Sequence, residues 1–337
     1  MKLPRRQFLH LAASVAALPA VSRVAWAETF PIHPVTMIIP TAAGGIVDTI
    51  GRVIAERMKA PLGQAIIIEN VGGAEGTIAT ARAARAKPDG YTIIFGITGT
   101  HVLNGALYSL RYDLLNDFAP ILPLGTAPLV LFARKTVPAK DLNELIVWLK
   151  ANPDKAAAGI TTAGPHLLTV FFLKETGTRF ALVPYRGAPA AFQDLMAGRI
   201  DLMFGTTDQL PLVRAGSLRA FALTSDVRSA LAPDVPTFAE LGLPTLSYSA
   251  WGALFAPGGT PKELIGKLNA AAVEALADPA VRSRLIDLGM EIFPRELQTR
   301  KLLARCRRPT SRNGGRSSRK RGSRQSEPRL QLRVKRE

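Results

Sequence analysis

The chain has 337 residues, 47% hydrophobic and 20% charged, enough for two α/β lobes with cores of their own. The net charge of +17 suggests nucleic acid or an acidic surface, but residues 300–337 hold +13 of it and residues 1–28 hold +3. The stretch between is close to neutral, and one cysteine, Cys306, excludes disulfides, cysteine metal sites and cysteine catalysis from it.

Residues 1–27 read as a secretory signal. Lys2, Arg5 and Arg6 precede an apolar run from Phe8 to Val21, and Ala25-Trp26-Ala27 supplies a small-x-small end, so cleavage is expected after Ala27. Pro19 and Arg23 cut the run well short of a bilayer's span. Arg5-Arg6-Gln7-Phe8-Leu9 also resembles a twin-arginine signal, which leaves both export routes open.

Val35 to Met58 organises the remainder of the chain. Val35, Met37, Ile38 and Ile39 predict a short strand ended by Pro40, and Ala42, Ala43, Gly44 and Gly45 a loop almost free of side chains. From Ile46 the apolar spacing is helical, with Ile50, Val53, Ile54 and Met58 on the same face. Such a loop brings backbone N–H groups and a helix N-terminus to a cleft, where they suit an anion. The pattern lacks the Gly-x-Gly-x-x-Gly spacing and the Lys-Ser/Thr of a P-loop, so neither a dinucleotide nor ATP is implied. Taken alone, it also fits a plain tight turn.

A second strand is expected over Ala65–Glu69, a helix near Thr77 and a third strand over Tyr91–Ile97 that opens into a loop at Thr98–His101. This alternation predicts parallel βαβ units with ligands at the carboxyl ends of the strands. Ala119–Lys135 reads as an extended crossing interrupted by Pro120, Pro123 and Pro128. Strands and helices then alternate again to about Thr224, Tyr248–Phe255 reads as a return crossing, and one or two helices close the first lobe.

The strings "IIPTAAGGIVDTIGRVIAERM", "IIIENVGGAEGTIA", "KPDGYTIIF", "YDLLNDFAPI", "VPYRGAPAAFQDLMAGRIDLMF" and "LGLPTLSYSAWGALFAP", in that order, resemble the Bug/TctC family from about Thr36 to Pro294. Its members are extracytoplasmic solute-binding receptors of tripartite tricarboxylate transporters. The resemblance implies an α/β type II periplasmic-binding-protein fold, two Rossmann-like lobes with a ligand cleft between them. Residues 28–127 and 251–299 would form lobe 1, and 128–250 lobe 2. It further implies a periplasmic monomer with no cofactor, metal or enzymatic activity. The ligand would be a small carboxylate (a di- or tricarboxylate, an acidic amino acid or an aromatic acid), passed to membrane permease subunits.

By position, the family's first binding loop corresponds to Thr41, Ala42, Ala43, Gly44, Gly45 and Asp48. Thr41 and Ala43 stand where the family usually has an aromatic residue and a proline. Asp48, which would repel a carboxylate, reads as a cap of the first helical turn. Thr98, Thr100 and His101 match a hydroxyl-rich loop facing the cleft, although His101 serves equally to cap the turn at Asn104. In lobe 2, Thr161, Thr162 and His166 sit where the family's loop is longer by a few residues. Tyr185 is carried over as a cleft residue that could equally be core, and Arg186 as a cation for a second carboxylate or a solvated turn. Asp208 aligns loosely with an acidic position.

From Arg300 the texture changes to a basic segment without helical periodicity, expected to be disordered. Back-translated with permitted codons and read one base on, Pro309–Gln325 becomes Asp-Ile-Glu-Lys-Trp-Trp-Pro-Ile-Ile-Lys-Glu-Ala-Gly-Ile-Lys-Ala, which resembles the family's closing helix. A single-base deletion near Thr299 would account for the tail. Three other functions remain in view. A sensor component would use the same fold. An exported enzyme would have only His33, His101 and His166 in the body and no nucleophile motif. Nucleic-acid binding would rest entirely on the tail and is not expected.

Overall fold

The computed structural model describes residues 30–306. Val35–Ile39 (β1) has four of its five residues buried, as a strand covered on both faces requires. Ile46–Leu62 (α1) follows and ends at Gly63, whose left-handed φ of 68° stops the helix. Ile66–Asn70 (β2) and Thr92–Ile97 (β3) pair parallel to β1 on either side, joined by Thr77–Ala84 (α2). The residues after β3 form a wide helical turn, Gly99–Leu103, running into Asn104–Leu107 (α3), and not the open loop expected at Thr98–His101.

Phe118–Arg134 (β4) is one continuous strand of 17 residues despite its prolines. Its register shifts between Pro120 and Leu122 and again between Pro123 and Gly125. At such bulges a residue without an N–H forfeits little of the ladder. The first part of β4 pairs antiparallel with Ser249–Pro257 (β9), from Phe118 opposite Pro257 to Pro128 opposite Ser249. The remainder, from Leu129, pairs with Leu202–Thr206 (β7) and Leu218–Leu223 (β8). β4 and β9 are therefore the two strands that carry the chain between lobes.

The second lobe is built from Leu142–Ala151 (α4), Ala157–Ile160 (β5), Ala163–Thr176 (α5), Ala181–Pro184 (β6), Ala188–Met196 (α6) and Leu210–Arg214 (α7), with β7 and β8. β5 runs parallel to both β6 and β7. Lys262–Ala277 (α8) and Pro279–Asp287 (α9) return to the first lobe, Asp278 capping α9 with bonds from the N–H groups of Ala280 and Val281. Glu291–Ile292 (β10) adds to β4. The strand order is β2-β1-β3-β9-β4-β7-β5-β6.

The cores separate along the same lines. Met37, Ile54, Met58, Leu268 and Leu276 pack together on one face of the first lobe's sheet. Leu131, Leu145, Leu149, Phe172, Phe204 and Phe238 form the main core of the second.

One expectation about the tail is corrected. Arg300–Cys306 is helical (α10), opened by a bond from the Leu302 N–H to Thr299 Oγ1. Leu303 is buried against Ile38, Phe118, Trp251 and Phe255, so a capping hydroxyl and one apolar anchor hold a helix where composition alone argued against it. The signal segment with its cleavage site, and the tail from 307 on with most of the proposed frame change, lie outside the described residues. Among the described residues, no helix is long and apolar enough to cross a membrane.

Candidate ligand-binding cleft

Where the lobes meet lies a cavity of about 120 Å³, partly open to the outside. That is several times the ~10–15 Å³ a single water needs, and small beside drug-sized pockets. A larger, open groove of about 820 Å³ lies on the outer face of the first lobe, between α2 and residues 108–112. It lies away from the junction of the lobes, with Glu69, Arg82, Arg85 and Arg111 on its walls, so the cleft between the lobes is the candidate site.

Three helix N-termini converge on it. From the first lobe come Gly45, Ile46 and Val47 at the start of α1; from the second come Thr162 at the start of α5 and Gly187 with Ala188 at the start of α6. None of the three N-cap residues uses a side chain to bond its helix's first N–H groups. Each end therefore presents backbone donors and about half a positive charge to the cavity. Hydroxyls from Thr41, Thr98, Thr161, Thr162, Thr206 and Tyr248 also line it, and Phe95, Phe204 and Met290 supply apolar wall. Among the described residues, no Lys, Arg, His, Asp or Glu lines it. Thr41 Oγ1 is buried with no hydrogen-bond partner among the described protein atoms, which is costly unless something in the cleft meets it.

The loop before α1 is braced from behind. The Asp48 carboxylate accepts from the Gly44 N–H at 2.9 Å, from Arg52 Nε at 3.0 Å and from Asn70 Nδ2 at 3.0 Å. Burial pushes this carboxyl upward, but the bonds from Arg52, Gly44 and Asn70 together hold it below the usual carboxylate range. Gly44 itself needs its left-handed φ of 80°.

The lobes touch through small residues. A Cβ on Gly187 would stand 2.7 Å from the Ala42 Cβ, and one on Gly72 would stand 3.0 Å from the Arg186 carbonyl oxygen. A Cβ on Gly99 would meet that of Ala163 at an ordinary contact distance, 3.5 Å. The lobes are in direct contact along this seam.

Of the residues singled out in the sequence, Thr41, Gly45, Thr98, Thr161 and Thr162 line the cavity. Ala42 lies at the seam, Ala43 is exposed, and Gly44 and Asp48 form the brace. Thr100 and His101 do not reach it. Thr100 Oγ1 donates to the Ile97 carbonyl and lies 2.9 Å from His101 Nδ1, whose fully buried ring stacks on Phe255 with centroids 4.2 Å apart. The wide turn at Gly99–Leu103 rotates both into the outer core. His166 sits 2.8 Å from Glu75 across the seam. The Tyr185 hydroxyl donates to Asp194, and burial together with that carboxylate pushes it up to about 12. Arg186 is exposed and lines no part of the cavity. Asp208 holds the Thr206 hydroxyl and Gln209, and burial pushes its carboxyl up.

Sequence reasoning missed Thr206, Tyr248, Gly187 and Ala188. Gly187 with Pro189 two places on was a readable helix start, and Thr206 ends a parallel strand. Tyr248 precedes an antiparallel strand and had no local signal. Its hydroxyl bonds Thr98, and burial raises it above the ordinary tyrosine value. Among the described residues, no group of three or more His, Cys, Asp or Glu is placed to hold a metal.

Residues 50–311 match the family model described as "Tripartite tricarboxylate transporter family receptor". BugT of Bordetella pertussis is 36% identical over 263 residues, 76% of this chain and 80% of that protein. Among solved structures, MatC from Rhodopseudomonas palustris with bound malate is 37% identical at a TM-score of 0.80, covering 82% of this chain and 96% of that one. Rpa4515 of R. palustris, solved with adipate, is 31% identical at a TM-score of 0.76, covering 82% of this chain and 95% of that one.

Proposed function

This chain belongs to the tripartite tricarboxylate transporter receptor family and is a solute-binding receptor, not an enzyme, and from that premise we propose that it captures a small carboxylate outside the cytoplasm. The observation that carries this reading is the convergence of three helix N-termini on a small cavity whose lining has no charged side chain. A carboxylate is there met by partial positive charge and N–H donors that need no counter-ion. The hydroxyls of Thr41, Thr98, Thr161 and Thr162 fix its orientation, and the apolar wall takes a short carbon chain. Malate and adipate in the two related structures support this class, each with a carboxylate at both ends of a short chain.

The mechanism is closure. An open receptor takes the ligand at one lobe, the second lobe closes on it, and the closed population is what a membrane permease engages. The signal segment at residues 1–27 supports a site of action in the periplasm.

The test is a thermal melt and calorimetric titration with malate, adipate, other small carboxylates and their neutral amides. A true ligand at about a hundred times its dissociation constant adds roughly 2.7 kcal/mol, a shift of a few degrees for this size. The carboxylates are expected to shift the melt and the amides to leave it unchanged. A shift with amides or sugars, and none with any carboxylate, would overturn the assignment.

A further inference from the structure

Glu75 sits on an unusual turn. Gly73, Ala74, Glu75 and Gly76 have φ values of 120°, 45°, 51° and 85°, a left-handed run that is unfavourable wherever a Cβ is present. The first lobe supports it with a bond from the Gly76 N–H to the Gly73 carbonyl (2.9 Å) and one from Asn104 Nδ2 to the Glu75 carbonyl (3.2 Å). The Tyr108 hydroxyl bonds the Glu75 carboxylate. Burial and that nearby negative charge push the hydroxyl up to about 12, so it stays protonated and donating.

Across the seam, His166 Nδ1 lies 2.8 Å from Glu75 Oε1, 91 residues away in sequence. The Glu75 side chain is only 8% exposed and that of His166 24%. Neither lines the cavity. His166 is the fourth residue of α5, in the turn that also carries Thr162 and Pro165 into the cleft. The seam at Ala42–Gly187 and Gly99–Ala163 is made of small residues whose contacts are weak and non-directional. The Thr98–Tyr248 bond also crosses it, but directly beside the strand that connects the lobes.

We infer that Glu75 and His166 are positioning residues: their bond is a latch that holds the closed form shut in the ligand-free receptor as in the liganded one, keeps the N-terminus of α5 against the ligand and slows release. This rests on the reading of the cleft as a site that closes on a ligand. A turn so strained persists where the surrounding structure over-determines it, and here it aims a buried carboxylate at the other lobe. Removing one partner of a buried, hydrogen-bonded carboxylate–imidazole pair acts mainly on the off-rate.

The experiment compares the full chain with His166→Ala, Glu75→Ala, the double variant and His166→Asn, whose Nδ2 can take the place of Nδ1. Hydrogen exchange of residues 73–77 and 162–167 is followed in ligand-free protein, together with release of malate or adipate. His166→Ala is expected to speed exchange in both segments, including the one in the opposite lobe, and to release ligand at least about tenfold faster. The double variant should be no worse than either single one, and His166→Asn should recover most of the loss. Unchanged exchange, or strictly additive single effects, would overturn the latch. If neither malate nor adipate binds, the carboxylate reading has failed, while exchange in the ligand-free protein still decides the latch.

Discussion

The two walls of the cleft solve the same problem differently. The first lobe offers one helix N-terminus, α1, behind a glycine loop locked by a buried Asp48 that holds Gly44, Arg52 and Asn70 at once. The second lobe offers two, α5 and α6, whose N-caps Thr162 and Gly187 make no side-chain cap bond. One wall is braced from behind, and the other joins it through glycines small enough to let backbones meet. The contrast teaches that charge here lies behind the cavity, where it fixes geometry, while the lining itself is N–H groups, hydroxyls and apolar surface.

The contrast breaks most severely at the seam. Gly187→Val leaves an extended backbone with φ of 177° that any residue adopts, but its side chain would occupy the space of Ala42. Carboxylate affinity is expected to fall by about 100-fold or more in calorimetry, with the ligand-free melt moved by no more than about 2 °C. Retained binding would show that the bound form does not bring Ala42 and Gly187 together.

Asp48→Ala attacks the brace. It strands the Gly44 N–H and the Asn70 amide, and should cost about 1–3 kcal/mol of stability at pH 7. Because the folded carboxyl lies below its ordinary value, its contribution is present above the unfolded value of about 3.9 and is lost as pH falls through the folded one. The gap between the two melting curves should therefore close in acid. A gap constant from pH 7 to pH 3 would contradict this.

Thr161→Val probes the second wall, weakening the ligand by about 1 kcal/mol, or roughly fivefold, without a comparable change in the melt. The smallest effect belongs to Asp208→Asn. Burial raises this carboxyl, so its ionised form burdens the fold above the raised value and not below the unfolded one. The variant is expected to melt no lower than the parent at pH 8 and to lose that advantage near pH 4. A melt that drops at pH 8 would show that the bonds to Thr206 and Gln209 outweigh the burial.

Much of this molecule could be read from its residues. The apolar strand Val35–Ile39, the glycine loop and the amphipathic α1 follow from spacing, because periodicity is a local property of the chain. The same loop brings a helix start to the cavity, as its strand–glycine–helix order implied. Other features belong to the assembled fold. Thr98 enters the cleft while Thr100 and His101, two and three places on, turn into the aromatic core, because a wide turn sets the rotation between them. Leu303 anchors a helix in a stretch that composition assigned to disorder, since a single buried contact is invisible to composition. The Glu75–His166 bond joins residues 91 apart, and the Ala42–Gly187 contact joins two lobes. Sequence alone determined the elements and the helix start that the glycine loop leads into, because those rest on local backbone chemistry. Tertiary structure decided which threonines line the cavity and which residues meet across the seam, because both depend on distances between segments that only packing brings together.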